Sequence, residues 1–477
     1  MDELQDHSRE SLTLQYSEEA ATQFYLASDF LESGDLASAE ASLRSALQLS
    51  PDFAEAYANL GLILDKRDAR EEAEQCYRRS LLLNPMQAET HLNLGVLLAK
   101  TKQFSQAEAA YQQFIALKPH IPVGYSNLGV LYACTRRDIE AERSYRTAIF
   151  LDDTYRLARF NLSYLLLRQG RFDEGWQCLE ARNQPDSLSD HNLAPRWQGE
   201  PLAGKSILFL SEAGYGDTIQ FCRYAHLLKA QGAASVGIIC HQPLKSLLHS
   251  LQGIDSVIDF TESVSDADWD FWIPAMSIPG LFKTRLDSIP ATIPYLYADA
   301  ERIKKWLPSI PKTGLRVALV WKGNPLFEND ADRSLPSLAT LSPLADVPGV
   351  NLISLQKGEG DAEALHPPVG LHLLDLGSLV DDFADTAAII ANMDLVICVD
   401  TAIAHLAGAL GKPCWVLLPE YKTDWRWLTG RTDSPWYPVT LRLFRQAKMG
   451  DWTPVIADVV RELKKLTKLP ATDGGNY

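Results

Sequence analysis

The residue types able to do chemistry in this chain sit in a few short loops. One reads Asp400-Thr401-Ala402-Ile403-Ala404-His405-Leu406-Ala407 and follows the apolar run Asp394–Val399. That run predicts a buried strand, and Ala402–Leu410 predicts a helix leaving it. A helix that starts off a strand exposes its first amides, and with the helix dipole these favour an anion such as a diphosphate. Asp400 or Thr401 can cap the start. His405 falls one turn in, and Ala402, Ala404, Ala407 and Gly408 leave room for a ligand or a neighbouring strand. A plain cap with a core-facing histidine would give the same pattern.

A second loop, Ser211-Glu212-Ala213-Gly214-Tyr215-Gly216-Asp217-Thr218-Ile219-Gln220, follows the apolar run Ser206–Leu210. Gly214 and Gly216 permit a tight turn with its backbone open to a cleft. Asp217 opens a helix expected to run to Ala230, where it either caps the helix or takes a proton from an acceptor hydroxyl. Glu212 and Gln220 flank it. Two more loops, Lys322-Gly323-Asn324-Pro325 and Gln356-Lys357-Gly358, set cations beside flexible turns that suit phosphate oxygens, and Arg333 follows the first. Asp424-Trp425-Arg426-Trp427-Leu428 and Asp433-Ser434-Pro435-Trp436-Tyr437-Pro438 bring aromatics together, either to line a base or sugar pocket or to pack the C-terminal segment.

The elements that must position these loops alternate strand and helix. Expected strands are Ser206–Leu210, Val236–Cys240, Val257–Phe260 and Phe271–Ile273. After the Pro-rich joint Leu307–Pro311 the pattern restarts with Arg316–Trp321, Asn351–Leu355, Leu371–Leu376, Asp394–Val399 and Cys414–Leu418, which closes the run. Short apolar runs alternating with helices predict parallel, doubly wound sheets. Two such lobes in tandem place a cleft between them, with ligands at the carboxyl ends of the strands.

Upstream the chain repeats. Pro51, Pro85 and Pro119 stand 34 residues apart, and the pairs Leu60-Gly61, Leu94-Gly95 and Leu128-Gly129 share that phase, as do Ala39, Ala73, Ala107 and Ala141, and Tyr77, Tyr111 and Tyr145. This period predicts stacked helix–turn–helix units over about 20–155, with a decayed unit to 184. Glycine lets a neighbouring helix approach, and tyrosine is expected to fill the gap between units. The repeats resemble the tetratricopeptide (TPR) family. The fold class is therefore α + α/β: a solenoid over 14–184, a linker over 185–203, a first lobe over 204–308, and a second lobe over 311–470 ending in a helical tail.

The 477 residues carry a net charge of −16, divided evenly on either side of residue 184, which argues against nucleic acid as a partner. No apolar run reaches membrane-spanning length. The acidic N-terminus lacks a signal-peptide pattern, and the seven scattered cysteines lack metal-site spacing, so a cytoplasmic protein with reduced thiols is expected.

Residues 196–460 resemble GT-B glycosyltransferases, similar to the heptosyltransferase (family 9) group. Gly216-Asp217 matches that family's Gly-Asp loop, and Asp400–Ala407 matches its Asp-Thr-Gly-x-x-His-Leu-Ala motif, with Ala402 where the family has glycine. The resemblance implies a nucleotide-sugar donor and single displacement without a cofactor or metal. Asp217 would be the base, with Glu212, Gly214, Gly216 and Gln220 on the acceptor side. Lys322, Asn324, Gln356, Lys357, Asp400, Thr401, Ala402 and His405 would bind the donor. Repeats joined to such a domain resemble bacterial protein glycosyltransferases, some acting on flagellin, so a polypeptide acceptor in the repeat groove is expected. Two alternatives stand beside this: a nucleotide-binding scaffold without turnover, and a transferase for a glycan or lipid-linked acceptor. In the latter the repeats serve docking or oligomerisation, and residues 1–184 are dispensable for small acceptors. Sugar, base, stereochemistry and oligomeric state stay open.

Overall fold

The computed structural model describes residues 16–182, 194–264 and 269–468. The chain divides into two compact units between Leu162 and Ser163. No helix of the described residues is long and apolar enough to cross a membrane.

The first unit is built from paired helices: α1 (Glu18–Ser33) with α2 (Leu36–Leu49), α3 (Ala54–Lys66) with α4 (Arg70–Leu83), α5 (Ala88–Lys100) with α6 (Phe104–Leu117), and α7 (Pro122–Cys134) with α8 (Asp138–Leu151); α9 (Arg156–Arg168) spans the boundary and pairs in sequence with α10 (Phe172–Leu179). Each pair turns through one left-handed residue, Gly34, Asp68, Lys102, Arg136 and Gly170, again 34 apart, with φ between 61° and 82°. The decayed fifth unit thus keeps the turn of the others.

Tyrosine acts differently from the expectation. Each ring lies over the glycine of its own unit, not in the gap between units. A Cβ at Gly61 would stand 2.8 Å from Tyr77, and one at Gly95 or Gly129 would stand 2.6 Å from Tyr111 or Tyr145. The phenol body fills the notch that the missing side chain leaves between paired helices. Gly95→Ala should therefore force Tyr111 aside and lower stability by about 1–3 kcal/mol, read as a lower urea midpoint at unchanged m.

The second unit holds two parallel sheets. Strands β1 (Ser206–Leu210), β2 (Ser235–Cys240), β3 (Ser256–Asp259) and β4 (Phe271–Pro274) form one in the order β3-β2-β1-β4. Strands β5 (Leu315–Val320), β6 (Val350–Ser354), β7 (Leu373–Asp375), β8 (Leu395–Val399), β9 (Cys414–Leu418) and β10 (Leu441–Arg445) form the other in the order β10-β9-β8-β5-β6-β7. β10 extends the sheet beyond the expected last strand. It alternates buried Leu441 and Leu443 with exposed Arg442, an edge pattern that a search for continuous apolar runs passes over. The helix expected from Asp217 to Ala230 begins earlier, as α11 (Tyr215–Phe221), and tightens to a 3-10 turn at Cys222–Tyr224, where Arg223 turns inward. Helices α12 (Phe383–Ala391) and α13 (Ala402–Ala409) flank β8, and α14 (Thr453–Leu466) lays Val455, Ile456, Val459 and Leu463 on the core beneath the larger sheet.

Residues 163–182 pack as part of this second unit. Trp176 meets Trp425 edge-on at 5.5 Å and donates its indole N–H to Thr284 O at 2.8 Å. Arg182 forks onto Glu212, Nε to Oε2 at 2.8 Å and Nη2 to Oε1 at 2.7 Å, with both side chains buried. Removing one partner of such a pair leaves an uncompensated buried charge and costs about 3–5 kcal/mol. Deleting residues 1–184 as one block would remove Trp176 and Arg182 from their partners and should destabilise the second unit. A chain starting at Ser163 should melt cooperatively, whereas one starting at residue 185 should melt far lower or aggregate, as calorimetry would show.

Candidate functional site

In the six-stranded sheet the connections reverse direction between β5 and β8, and in the four-stranded sheet between β1 and β4. Crevices open at such switch points, beyond the carboxyl ends of the strands. The loops leaving β5, β8 and β1 carry Trp321–Asn324, Asp400–Thr401 and Ser211–Gly214, three of the segments singled out by sequence. Two of them are brought face to face: a Cβ at Gly216 would stand 2.9 Å from His405 Cδ2 and 3.4 Å from Ala402 Cα. Gly216 thus lets α11 touch the first turns of α13.

Asp217 lies in this contact as the third residue of α11. Its Oδ2 accepts from Gly214 N at 2.8 Å, and its Oδ1 accepts from Arg426 Nη2. Burial raises its pKa, Arg426 opposes that rise, and Asp424 and Glu212 add to it, leaving the carboxyl above its ordinary value. Gln220 is fully buried; its Oε1 accepts from Arg426 Nε, while its Nε2 has no partner among the described residues. Glu212 is committed to Arg182 and to Met276 N (2.9 Å), so it anchors the loop.

Across the contact, His405 lies flat against Trp427, 5.3 Å between rings at 25°, with Nδ1 2.9 Å from the Tyr437 hydroxyl. Burial first, then Arg426 and Arg223, hold its pKa well below the ordinary histidine value, so the imidazole is neutral near pH 7. Tyr295 donates its single hydrogen to Ile219 O at 2.8 Å. The Tyr437 hydrogen then goes to His405 Nδ1 at 2.9 Å in preference to Tyr295 at 3.4 Å. That puts the imidazole proton on Nε2, the ring nitrogen nearer Gly216.

Thr401 stands at the N-cap of α13, but its side chain accepts nothing from the first-turn amides, and its buried Oγ1 has no partner among the described residues. Asp400, just before it, is pushed up to about 6, by burial first and Asp424 second, against Arg333, Trp427 and Arg426. The Trp427 indole nitrogen is buried and has no hydrogen-bond partner within 3.5 Å among the described residues.

The remaining expected donor residues divide. Lys322 Nζ, 3.4 Å from Glu359, lies in the loop after β5. Gln356 is fully engaged: Oε1 accepts from Trp321 N (2.9 Å) and Lys322 N (3.0 Å), and Nε2 donates to Lys322 O (3.1 Å) and Glu359 O (2.7 Å). It is a strut between two loops. The Lys357 ammonium donates to Val380 O, and the exposed Asn324 caps its own turn through Leu326 N at 3.0 Å.

Two further cations stand by these loops: Arg333, which the sequence placed after the Lys322 loop, and Arg426, which its spacing did not pick out as a site residue. Arg333, paired with Asp330 at 3.0 Å, would lie 2.6 Å from a Cβ at Gly323, so the loop after β5 rests against it. Arg426 is buried, stacks on Trp425 at 4.4 Å, and reaches Asp424, Gln220 and Asp217. Its partners on α11 lie more than two hundred positions away in the chain, and its aromatic neighbours masked it as packing. Trp425 and Trp436 do pack, against Trp176 and Phe221. Trp427 alone of the three indoles stacks on His405.

Residues 24–151 match the model of the middle TPR-like domain of cilia and flagella-associated protein 70. Residues 381–417 match glycosyltransferase family 9 (heptosyltransferase), a stretch that includes Asp400, Thr401, Ala402 and His405 but neither Asp217 nor Arg426. Protein FlbA of Caulobacter vibrioides is 27% identical over 340 residues, 65% of this chain and 55% of FlbA, so the alignment spans about half of that relative. Among solved structures, MamA is 20% identical with a TM-score of 0.31, covering 33% of this chain and 91% of MamA. YrrB is 18% identical with a TM-score of 0.31, covering 36% and 89%. The chain is thus TPR-like in its N-terminal region and carries a family 9 segment in its C-terminal part.

The raised Asp400 carboxyl has a testable sign. Its folded pKa of about 6 exceeds the ordinary 3.8, so its ionisation costs stability as pH rises through that window and costs nothing below it. Asp400→Asn should be more stable than wild type at pH 7.5 by ~1–3 kcal/mol, a difference that vanishes near pH 3.5 in urea titrations across pH.

Proposed function

We propose that the protein is a glycosyltransferase that moves a sugar from a nucleotide-sugar donor to a hydroxyl of a polypeptide held by the repeats. The observation that carries this reading is the approach of Gly216-Asp217 to Ala402 and His405 across facing switch points. It sets a carboxylate beside the start of a helix whose cap hydroxyl is unused.

In this reading the donor diphosphate sits at the first turn of α13, against the Ala402 and Ile403 amides, with Lys322 and the His405 Nε2–H as further donors. Asp217 takes the acceptor hydroxyl's proton as the oxygen bonds to the anomeric carbon. The bond between the anomeric carbon and the donor's phosphate oxygen breaks, and its electron pair leaves with the nucleotide. The repeats raise the local concentration of a polypeptide acceptor by tethering it, and flagellin is among the acceptors the resemblance implies.

A scaffold without turnover is favoured by one observation: both Asp217 oxygens already accept hydrogen bonds, from Gly214 N and Arg426. The two readings part in one experiment. Nucleotide release would be followed with ADP-, UDP-, GDP- and CMP-sugars, alongside thermal shifts. The transferase should be stabilised by one nucleotide class and turn over its sugar, and Asp217→Asn should cut turnover about 10²–10⁴-fold while keeping the thermal shift. A shift without turnover by wild type would establish the scaffold.

A further inference from the structure

Arg426 belongs to the turn Asp424–Trp427 of the second lobe, and its side chain reaches into the first. Nη2 donates to Asp217 Oδ1, Nε donates to Gln220 Oε1, and Nη1 donates to Asp424 at 3.0 and 3.1 Å. The guanidinium lies on Trp425 at 4.4 Å with Phe221 at 5.5 Å, so its plane is set by rings from both lobes. The other Asp217 oxygen is held by Gly214 N, within the first lobe. One carboxylate oxygen is thus oriented by its own helix start and the other by a cation from the facing lobe.

We infer that Arg426 is the positioning residue for Asp217: it fixes the carboxylate's rotamer and charge, and makes a working base conditional on the second lobe presenting the Asp424–Trp427 turn. This rests on the transferase reading and adds to it a residue outside the family 9 match. Arg426 touches neither donor nor acceptor in this scheme; its effect passes through Asp217.

The groups facing Asp217 give the inference a pH signature. They are Arg426 and Asp424 from the turn, Glu212 from the loop after β1, the Tyr164 phenol from α9, and neutral His405 from α13. Without the guanidinium, burial and the two carboxylates all disfavour ionised Asp217. The base would then need a higher pH to lose its proton.

The test measures kcat and donor KM against pH for wild type, R426Q and R426K, each checked for folding by melting. R426Q should lower kcat on the order of 10²-fold with donor KM nearly unchanged, and should move the acid limb up by about one pH unit or more. R426K should recover part of both. If R426Q fails to fold, R426K carries the test, with an intermediate kcat and a smaller upward limb shift expected. An active wild type whose limb stays in place in every folded variant would overturn the positioning role and leave the transferase reading intact. A wild type that turns over no donor would overturn both.

Discussion

A buried guanidinium is the first of two cations that tie the lobes together. Arg426 stands among Asp217, Asp424 and Gln220, with aromatic faces on either side. Burying so many charges is tolerable only because each finds a partner. A second buried arginine works in the opposite direction. Arg223 of the first lobe donates to Trp436 O at 2.6 Å and to Tyr295 OH at 3.0 Å, and stacks on Tyr437 at 4.6 Å. The lobes therefore exchange cations. The hydroxyl chain from Ile219 through Tyr295 and Tyr437 to His405 runs beside that exchange. What places α11 against α13 is this polar lattice together with the missing side chain at Gly216.

The same contact concentrates unfavourable choices. A carboxyl raised to about 6, a cap-position threonine with no capping bond, an imidazole held neutral by burial and then by nearby cations, and buried indole and amide nitrogens without partners among the described residues all lie within a few side chains of one another. Each costs stability where it stands. Their coincidence at the carboxyl ends of strands, where open parallel sheets bind ligands, is what distinguishes this region from an ordinary domain seam.

Much of this was legible in the sequence. The 34-residue phase, the strand positions and the two loops that converge follow from periodicity and from apolar runs bounded by turn residues. What escaped did so for physical reasons. β10 is an edge strand with an arginine on its open side. Arg426 gains its role from partners far away in the chain, which no local spacing encodes. Gln356 and Lys357 had the composition of ligand loops; composition could not show that Gln356 bridges backbone groups of two loops or that Lys357 donates to the Val380 carbonyl. Residues 163–182 keep the repeat turn at Gly170 but belong to the second unit, because Trp176 and Arg182 find their partners there.

That last arrangement bears on how such a protein can change over evolutionary time. Upstream of Leu162 the array is modular, and a duplication or loss of 34 residues would preserve every glycine–tyrosine notch and every left-handed turn. Downstream, the terminal helical pair has been captured by its neighbour and can no longer be exchanged. Recombination that swaps one recognition array for another therefore has its seam inside a helix, α9, and not in the proline-rich stretch where a breakpoint would ordinarily be sought.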